Sequence, residues 1–345
     1  MKITQLMVAK GFGGAERYFV DLSLALAEYG HDVQVICHEH FKGKNILVGK
    51  HSVQVQTVRV AGWWDVIAGK KIEKSVAEFT PDVIHAHLAR GAYFAGKVRK
   101  NTGIPLVVKT HNYVDLKYYR HVDMFVPTTI DQKKYLVEKG INSGNIKLIP
   151  NFSSIKPVSE ISLSSQDQIR IICAMGRLVK KKGFDVLIKA IKEVIDKGFN
   201  IVLHLGGDGP ELDKLQHLCR KLGINDKVIF TGWVDDTRSF LQNASLFVLP
   251  SLDEPFGIVI LEAMSQGKPI ITTLTKGPCE ILDDQMAWFV ETGSVNALSD
   301  SIISAMENND MCLQKAQLAL DKFRSIYAQE KVIPKLVELY KELVC

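Results

Sequence analysis

Glu254 and Glu262 lie eight positions apart in DEPFGIVILEAMSQGKPIITT (253–273), the first beside Pro255 and the second inside an apolar run. A carboxylate among Ile, Val, Leu, Ala and Met is costly to bury without a partner, so the pair needs a structural or a chemical reason. The preceding SLFVLPS reads as a strand, which leaves Asp253 and Glu254 in the loop beyond it. Pro255 then falls near a helix start, where proline is tolerated because its missing N–H has no helical partner there. Phe256, Gly257 and Ile258 supply free N–H groups at the helix mouth, and Glu262 lies about a turn and a half further along. Two carboxylates at different depths suit hydroxyls from two parts of one polyol ligand. The helix N-terminus between them suits a phosphate. The structural alternative makes Glu262 a paired core carboxylate and Glu254 an N-cap-like residue.

Cationic groups recur at other strand ends. In GRLVKKKGF (176–184), Arg177 and Lys182 emerge onto a glycine-containing turn, and an Arg fork with a Lys point charge can share the oxygens of a diphosphate. The segment does not match a Walker A loop, and a solvated basic turn is the plainer alternative. GFGGAER (11–17) follows the first strand and opens a helix, so Gly13 and Gly14 allow close backbone approach to a ligand. A dinucleotide fingerprint would place Gly or Ala where Glu16 stands, and that carboxylate would repel a pyrophosphate; Glu39 past the second strand is the one feature in favour of a nicotinamide site. GGDGPE (206–211) is a glycine turn that structure alone would explain. HAH (85–87) ends a strand and His111 follows the next. HxH could be a metal pair, but no nearby carboxylate or further His completes a ligand set. In AGWWDVIAGKKIEK (61–74), Trp63 and Trp64 combine with Lys70, Lys71 and Lys74; the segment suits either an anionic membrane surface or a helix with one tryptophan packed inward.

The elements that must position these residues are strands alternating with amphipathic helices. Strands are expected at 3–9, 32–37, 53–60, 82–87, 105–110, 124–129 and 146–150. After a Ser- and Pro-rich break they resume at 170–176, 199–207, 227–232, 245–251 and 268–273. Helices are expected at 16–30 and 332–344, among others. Such alternation specifies an α/β chain with parallel sheets covered on both faces. Two doubly wound units would face across a cleft, and ligands of such sheets bind outside the carboxyl ends of the strands. The unusual residues fall at those ends.

The chain has 345 residues, 46% hydrophobic and 23% charged, enough for two domains with a sizeable core. Its net charge of +5 is unevenly spread: residues 1–150 carry +8 and the remainder −3. A basic first half suits an anionic partner, whether a membrane surface, a phosphorylated acceptor or nucleic acid; solvated lysines without a partner are the alternative. Cysteines 37, 173, 219, 279, 312 and 345 form no CxxC pair, which fits buried thiols in a reducing compartment and a cytoplasmic protein. No run of 18 apolar residues exists, so no spanning segment is expected.

GGAER, DVIHAH, THN, GRLVKKKG, GGDGP, FTGWV and LPSLDEPFGIVILEAMSQGKPI, in this order, resemble the family 4 retaining glycosyltransferases, and the resemblance spans nearly the whole chain. It implies the GT-B architecture of two Rossmann-like domains. These would be an acceptor-side domain at 1–152, a linker at 153–168 and a nucleotide-sugar domain at 169–325, with a helix at 326–345 crossing back to the first domain. It also implies roles. Gly13 and Gly14 would approach the donor diphosphate or the acceptor, with Glu16 on the acceptor side. His111 would orient the donor sugar, and Arg177 and Lys182 would hold the diphosphate. Glu254 would contact the transferred sugar, the amides around Phe256, Gly257 and Ile258 the sugar and phosphates, Glu262 the ribose, and backbone near Val234 the base. The implied activity is metal-independent, retaining transfer from a UDP- or GDP-sugar to a glycan or glycolipid, in lipopolysaccharide or surface polysaccharide synthesis. No cofactor, no metal and no nucleic acid are implied, and the protein would sit in the cytoplasm or peripherally at the inner membrane face. A sugar-nucleotide epimerase or a non-catalytic sugar-nucleotide-binding protein of the same fold are the alternatives. One departure stands out: PNFSS places Phe152 where the family often has glycine, which puts the local hinge geometry in question.

Overall fold

The computed structural model describes residues 1–50, 52–161 and 170–344. Of the linker expected at 153–168, residues 162–168 lie outside the described residues, as does Cys345. The chain forms two compact units, Met1–Ser154 with Gln329–Cys345, and Ile155–Ala328.

The first unit runs β1 (Lys2–Met7), α1 (Gly14–Glu28), β2 (Asp32–His38), α2 (Lys44–Leu47), β3 (Val53–Val58), α3 (Val66–Phe79), β4 (Val83–His87), α4 (Leu88–Thr102), β5 (Leu106–Thr110), β6 (Met124–Pro127) and α5 (Ile130–Glu138). Its six strands lie parallel in the order β3-β2-β1-β4-β5-β6. The strand order reverses at β1, and both faces are covered, so the central strands are apolar nearly throughout: Ile3, Leu6, Val33, Val35, Val83, Ala86, Val107 and Val108 are buried. The C-terminal helix, Gln329–Val344, belongs to this unit and packs on α1.

The expected strand at 146–150 does not form. Ile146 makes a single bridge to Phe125, and beyond it Lys147 and Ile149 only donate, to Phe125 O and Pro127 O. The carbonyl of Ile149 is taken by the buried Lys109 ammonium, and Pro150 has no N–H to continue a ladder. Phe152 is no loose hinge residue: it is buried, with its ring edge-on to Tyr18 at 5.5 Å. The two tryptophans of the 61–74 segment part company. Trp63 stacks on Tyr118 at 4.0 Å and meets Tyr93 edge-on, whereas Trp64 is 75% exposed.

The second unit runs β7 (Arg170–Met175), α6 (Phe184–Asp196), β8 (Ile201–Gly206), α7 (Leu212–Lys221), β9 (Val228–Gly232), α8 (Thr237–Gln242), β10 (Leu246–Leu249), α9 (Ile258–Ser265), β11 (Ile270–Thr273), α10 (Lys276–Ile281), β12 (Trp288–Val290), α11 (Val295–Glu307) and α12 (Asn309–Lys322). Its six parallel strands are ordered β12-β11-β10-β7-β8-β9. Here too the order reverses at the first strand, so the carboxyl ends of β7 and β10 flank the point where ligands of doubly wound sheets bind. β12, a three-residue edge strand, was not expected from the sequence; its Trp288 and Phe289 are only half-buried, so it lacks the apolar run that marks the inner strands.

Candidate active site

In the second unit the loops after β7 and β10 are bound to each other. Lys182 ends a 3₁₀ turn, Lys180–Lys182, and Gly183 follows in the left-handed region at φ +64°. A Cβ on Gly183 would lie 2.1 Å from Pro250 O, so only glycine lets the β10 loop approach this closely. The N–H groups of Leu252 and Asp253 both donate to Lys181 O, at 2.8 and 3.3 Å. This nesting brings the Lys182 ammonium onto the Glu254 carboxylate, and Ser251 Oγ donates to the same Glu254 oxygen at 3.2 Å. Both sequence-derived residues are therefore in one constellation, with Glu254 buried and its carboxylate partnered. Arg177 stands exposed at the end of β7 and enters no ion pair among the described residues.

The segment after Glu254 departs from expectation in one detail. Helix α9 starts at Ile258, and its N-cap is Gly257 in a left-handed conformation, φ +93°, without a side-chain cap. Pro255 thus lies in the bend before the helix and not in its first turn. The backbone of Phe256 is held from behind: Gly277 N–H donates to Glu254 O at 3.0 Å, and a Cβ on Gly277 would come within 2.4 Å of Phe256 O. Glu262 occupies the second turn of α9, buried, and is held by an interaction within the protein. Val234 is half-buried in the turn after β9.

Gly13, Gly14, Glu16 and His111 belong to the first unit, separate from the eight site residues of the second. Gly13 is the N-cap of α1, and the Glu16 carboxylate folds back to accept its N–H at 3.1 Å. Glu16, expected on the acceptor side, thereby caps the helix. His111 directly follows β5 and is buried against Tyr18, edge-on at 5.4 Å. Burial, and secondarily the neighbouring Lys109, push its pKa from 6.5 down to about 3, so it is neutral near pH 7. Its Nε2 lies 3.2 Å from His87 Nδ1, and His87 Nε2 lies 2.8 Å from Gln5 Oε1. His85 Nδ1 meets the Tyr340 hydroxyl of the C-terminal helix at 2.6 Å. His87 turns both ring nitrogens, and His85 its Nδ1, to protein partners, while His85 Nε2 is buried without one; among the described residues no group of three His, Cys, Asp or Glu side chains is placed to hold a metal ion. Sequence reasoning missed Ser251, Gly277, Gln5 and the role of His87. Only Ser251, three residues before Glu254, carried a local signal.

Residues 158–319 match the family model for Glycosyl transferases group 1, and residues 12–154 that for Glycosyltransferase Family 4. The chain is 28% identical to the lipopolysaccharide core biosynthesis glycosyltransferase LpsE of Rhizobium meliloti (strain 1021), over 98% of each chain. It is 29% identical to LpsD of the same organism, over 95% of each. Among solved structures it resembles Anabaena Alr3699/HepE in complex with UDP-glucose, with TM-score 0.84 and 18% identity over 99% of this chain and 100% of that one. It also resembles WaaG, a glycosyltransferase involved in lipopolysaccharide biosynthesis, with TM-score 0.76 and 17% identity over 99% of each. With two Rossmann-like sheets, the Lys182–Glu254 constellation at the strand ends and family matches across both units, the chain belongs to the family 4 glycosyltransferases of GT-B fold.

Proposed function

We propose that this glycosyltransferase moves a sugar, with retention of anomeric configuration and without a metal, from a UDP- or GDP-sugar to a glycan or glycolipid of lipopolysaccharide or surface polysaccharide synthesis. The observation that carries the reading is the Lys182–Glu254–Ser251 constellation beside the N-terminus of α9. Cleaving a sugar–phosphate bond leaves an oxocarbenium-like centre and a growing negative charge on the diphosphate. Preorganised cations and amides aimed at that charge are the largest catalytic contribution available. Arg177, Lys182 and the N–H groups around Phe256, Gly257 and Ile258 take this part, which makes a metal unnecessary. Glu254, anchored by Lys182 and Ser251, positions the transferred sugar, and Glu262 takes the ribose hydroxyls. Val234 backbone meets the base, while Gly13, Gly14 and His111 serve donor and acceptor from the first unit. In same-face displacement the departing phosphate accepts the acceptor's proton, so no protein base is required.

The donor is identified by thermal shift against a panel of UDP- and GDP-sugars, since a ligand at about 100 times its Kd stabilises by about 2.7 kcal/mol. Proton NMR of the product then reads the anomeric configuration, and EDTA leaves the rate unchanged. An inverted product or a rate abolished by EDTA contradicts the mechanism.

The acceptor-side partner we assign is an anionic membrane surface. No helix among the described residues is long and apolar enough to cross a bilayer. Trp64, Val66 and Ile67 are each more than 60% exposed at the start of α3, and exposed Lys70, Lys71 and Lys74 follow on the same helix. Apolar side chains beside lysines suit the headgroup boundary of an anionic bilayer. Sedimentation with phosphatidylglycerol vesicles retains the protein, and Trp64→Ser with Ile67→Ser releases it. Equal binding by the variant, or to neutral vesicles, refutes this partner.

A further inference from the structure

The HxH motif and its neighbours find a use outside the second-unit constellation. Gln5, His85 and His87 are fully buried, and His111 nearly so. Gln5 lies on β1 beside β4, and His87 closes β4. His87 spans the gap between Gln5 and His111, through Nε2 to Gln5 Oε1 at 2.8 Å and through Nδ1 to His111 Nε2 at 3.2 Å. Phe19 packs edge-on to the His87 ring at 5.2 Å, and Tyr18 edge-on to that of His111 at 5.4 Å, so neither ring is free to turn.

The direction of proton donation follows from chemistry. In the orientation the structure gives the Gln5 amide, with its Nε2 buried and unpartnered, the oxygen faces His87 and can only accept, so the proton of His87 is on Nε2. A neutral imidazole carries one ring proton, which leaves His87 Nδ1 as an acceptor. His111 Nε2 must then donate, and its own Nδ1 is left bare. We infer that Gln5 and His87 are positioning residues that lock His111 as the Nε2–H tautomer, so that His111 meets the donor sugar as a hydrogen-bond acceptor for a hydroxyl and not as an acid. The tautomer stands on the buried geometry alone; the role toward the sugar rests on the glycosyltransferase reading above. The burial that keeps His85, His87 and His111 neutral agrees with it.

Ring-¹⁵N-labelled histidine in the whole protein reads the tautomer directly, with His111 assigned by comparison with His111→Gln. At pH 7, and still at pH 5, His111 shows a protonated Nε2 and a bare Nδ1. A protonated Nδ1, or an exchange-averaged pair, overturns the inference. Gln5→Met removes the acceptor that sets the direction: the His111 signals then mix, and kcat/KM for the donor sugar falls about tenfold, the scale of one hydrogen bond to substrate, while nucleoside diphosphate affinity is unchanged. Unaltered His111 signals in Gln5→Met also overturn it. If that variant does not fold, the wild-type spectrum decides alone. A locked tautomer in a protein that turns over no sugar nucleotide would instead refute the proposed function and leave the relay standing.

Discussion

Lys182 and Glu254 are both largely withdrawn from water, their side chains 16% and 7% exposed. Deleting one partner of such a pair strands the other, which costs more than the pair itself contributes. Lys182→Ala should therefore destabilise the protein by about 2–4 kcal/mol, whereas Glu254→Gln, which keeps an acceptor for Lys182 and Ser251, should cost less. Urea unfolding of the two variants checks the order; equal losses would mean that the pair is effectively solvated. The two glutamates divide their work by position. Glu254 is anchored at the helix mouth and Glu262 lies in the second turn of α9. Glu262→Ala is expected to weaken nucleotide binding by about tenfold, as loss of a hydrogen bond to a charged acceptor would. Glu254→Ala should leave nucleotide affinity nearly unchanged and lower turnover. Calorimetric titration with the nucleoside diphosphate separates them, and an equal loss in both contradicts the division.

At the scale of elements, the site depends on two loops that touch only because a side chain is missing. Gly183→Ala would drive a Cβ into Pro250 O and burden a left-handed backbone, displacing Lys182 from Glu254. A loss of about 2 kcal/mol or more is expected, together with most of the activity, although residue 183 touches no ligand in this account. Normal turnover in Gly183→Ala would show that the loop contact is dispensable. Much of this arrangement was legible in advance. Glu254, Lys182 and Arg177 stand out because they end apolar strands, and ligand sites of parallel sheets collect there. Their pairing was not legible, because Lys182 and Glu254 are 72 residues apart and the contact is made by loops. The strand wrongly expected at 146–150 has the right composition, but a strand needs partners on its edge. Lys109, 40 residues earlier, captures its carbonyl instead. The Glu16 cap of α1, by contrast, is local: Glu16 stands three residues after Gly13, the spacing of a capping box.

Across the whole molecule, the two units carry different liabilities. In the first, His85, His87 and His111 are all held neutral by burial, with Lys109, whose own pKa burial pushes well down, beside them, and Tyr18 and Tyr340 as the other titratable side chains against them. Their folded pKa values lie below the unfolded 6.5, so the unfolded chain binds more protons as acid is added. Stability is therefore intact above about pH 6.5 and falls as pH drops below it toward the folded value of about 3 for His111. Hydrogen exchange at pH 5 against pH 7 should show weakened protection in β4, β5 and α1 before the second sheet responds; uniform weakening would contradict this localisation.

The central claim is that the second-unit constellation drives departure of a nucleoside diphosphate from a bound sugar. The most direct test is nucleoside diphosphate release from the donor found by thermal shift, with a lipopolysaccharide-core acceptor present, for the wild type, Glu254→Gln and Lys182→Met. Acceptor-dependent release by the wild type and a loss of about 100-fold or more in both variants are expected, the scale of removing one preorganised charge-stabilising group. No release from any donor, or variants as fast as the wild type, would contradict it.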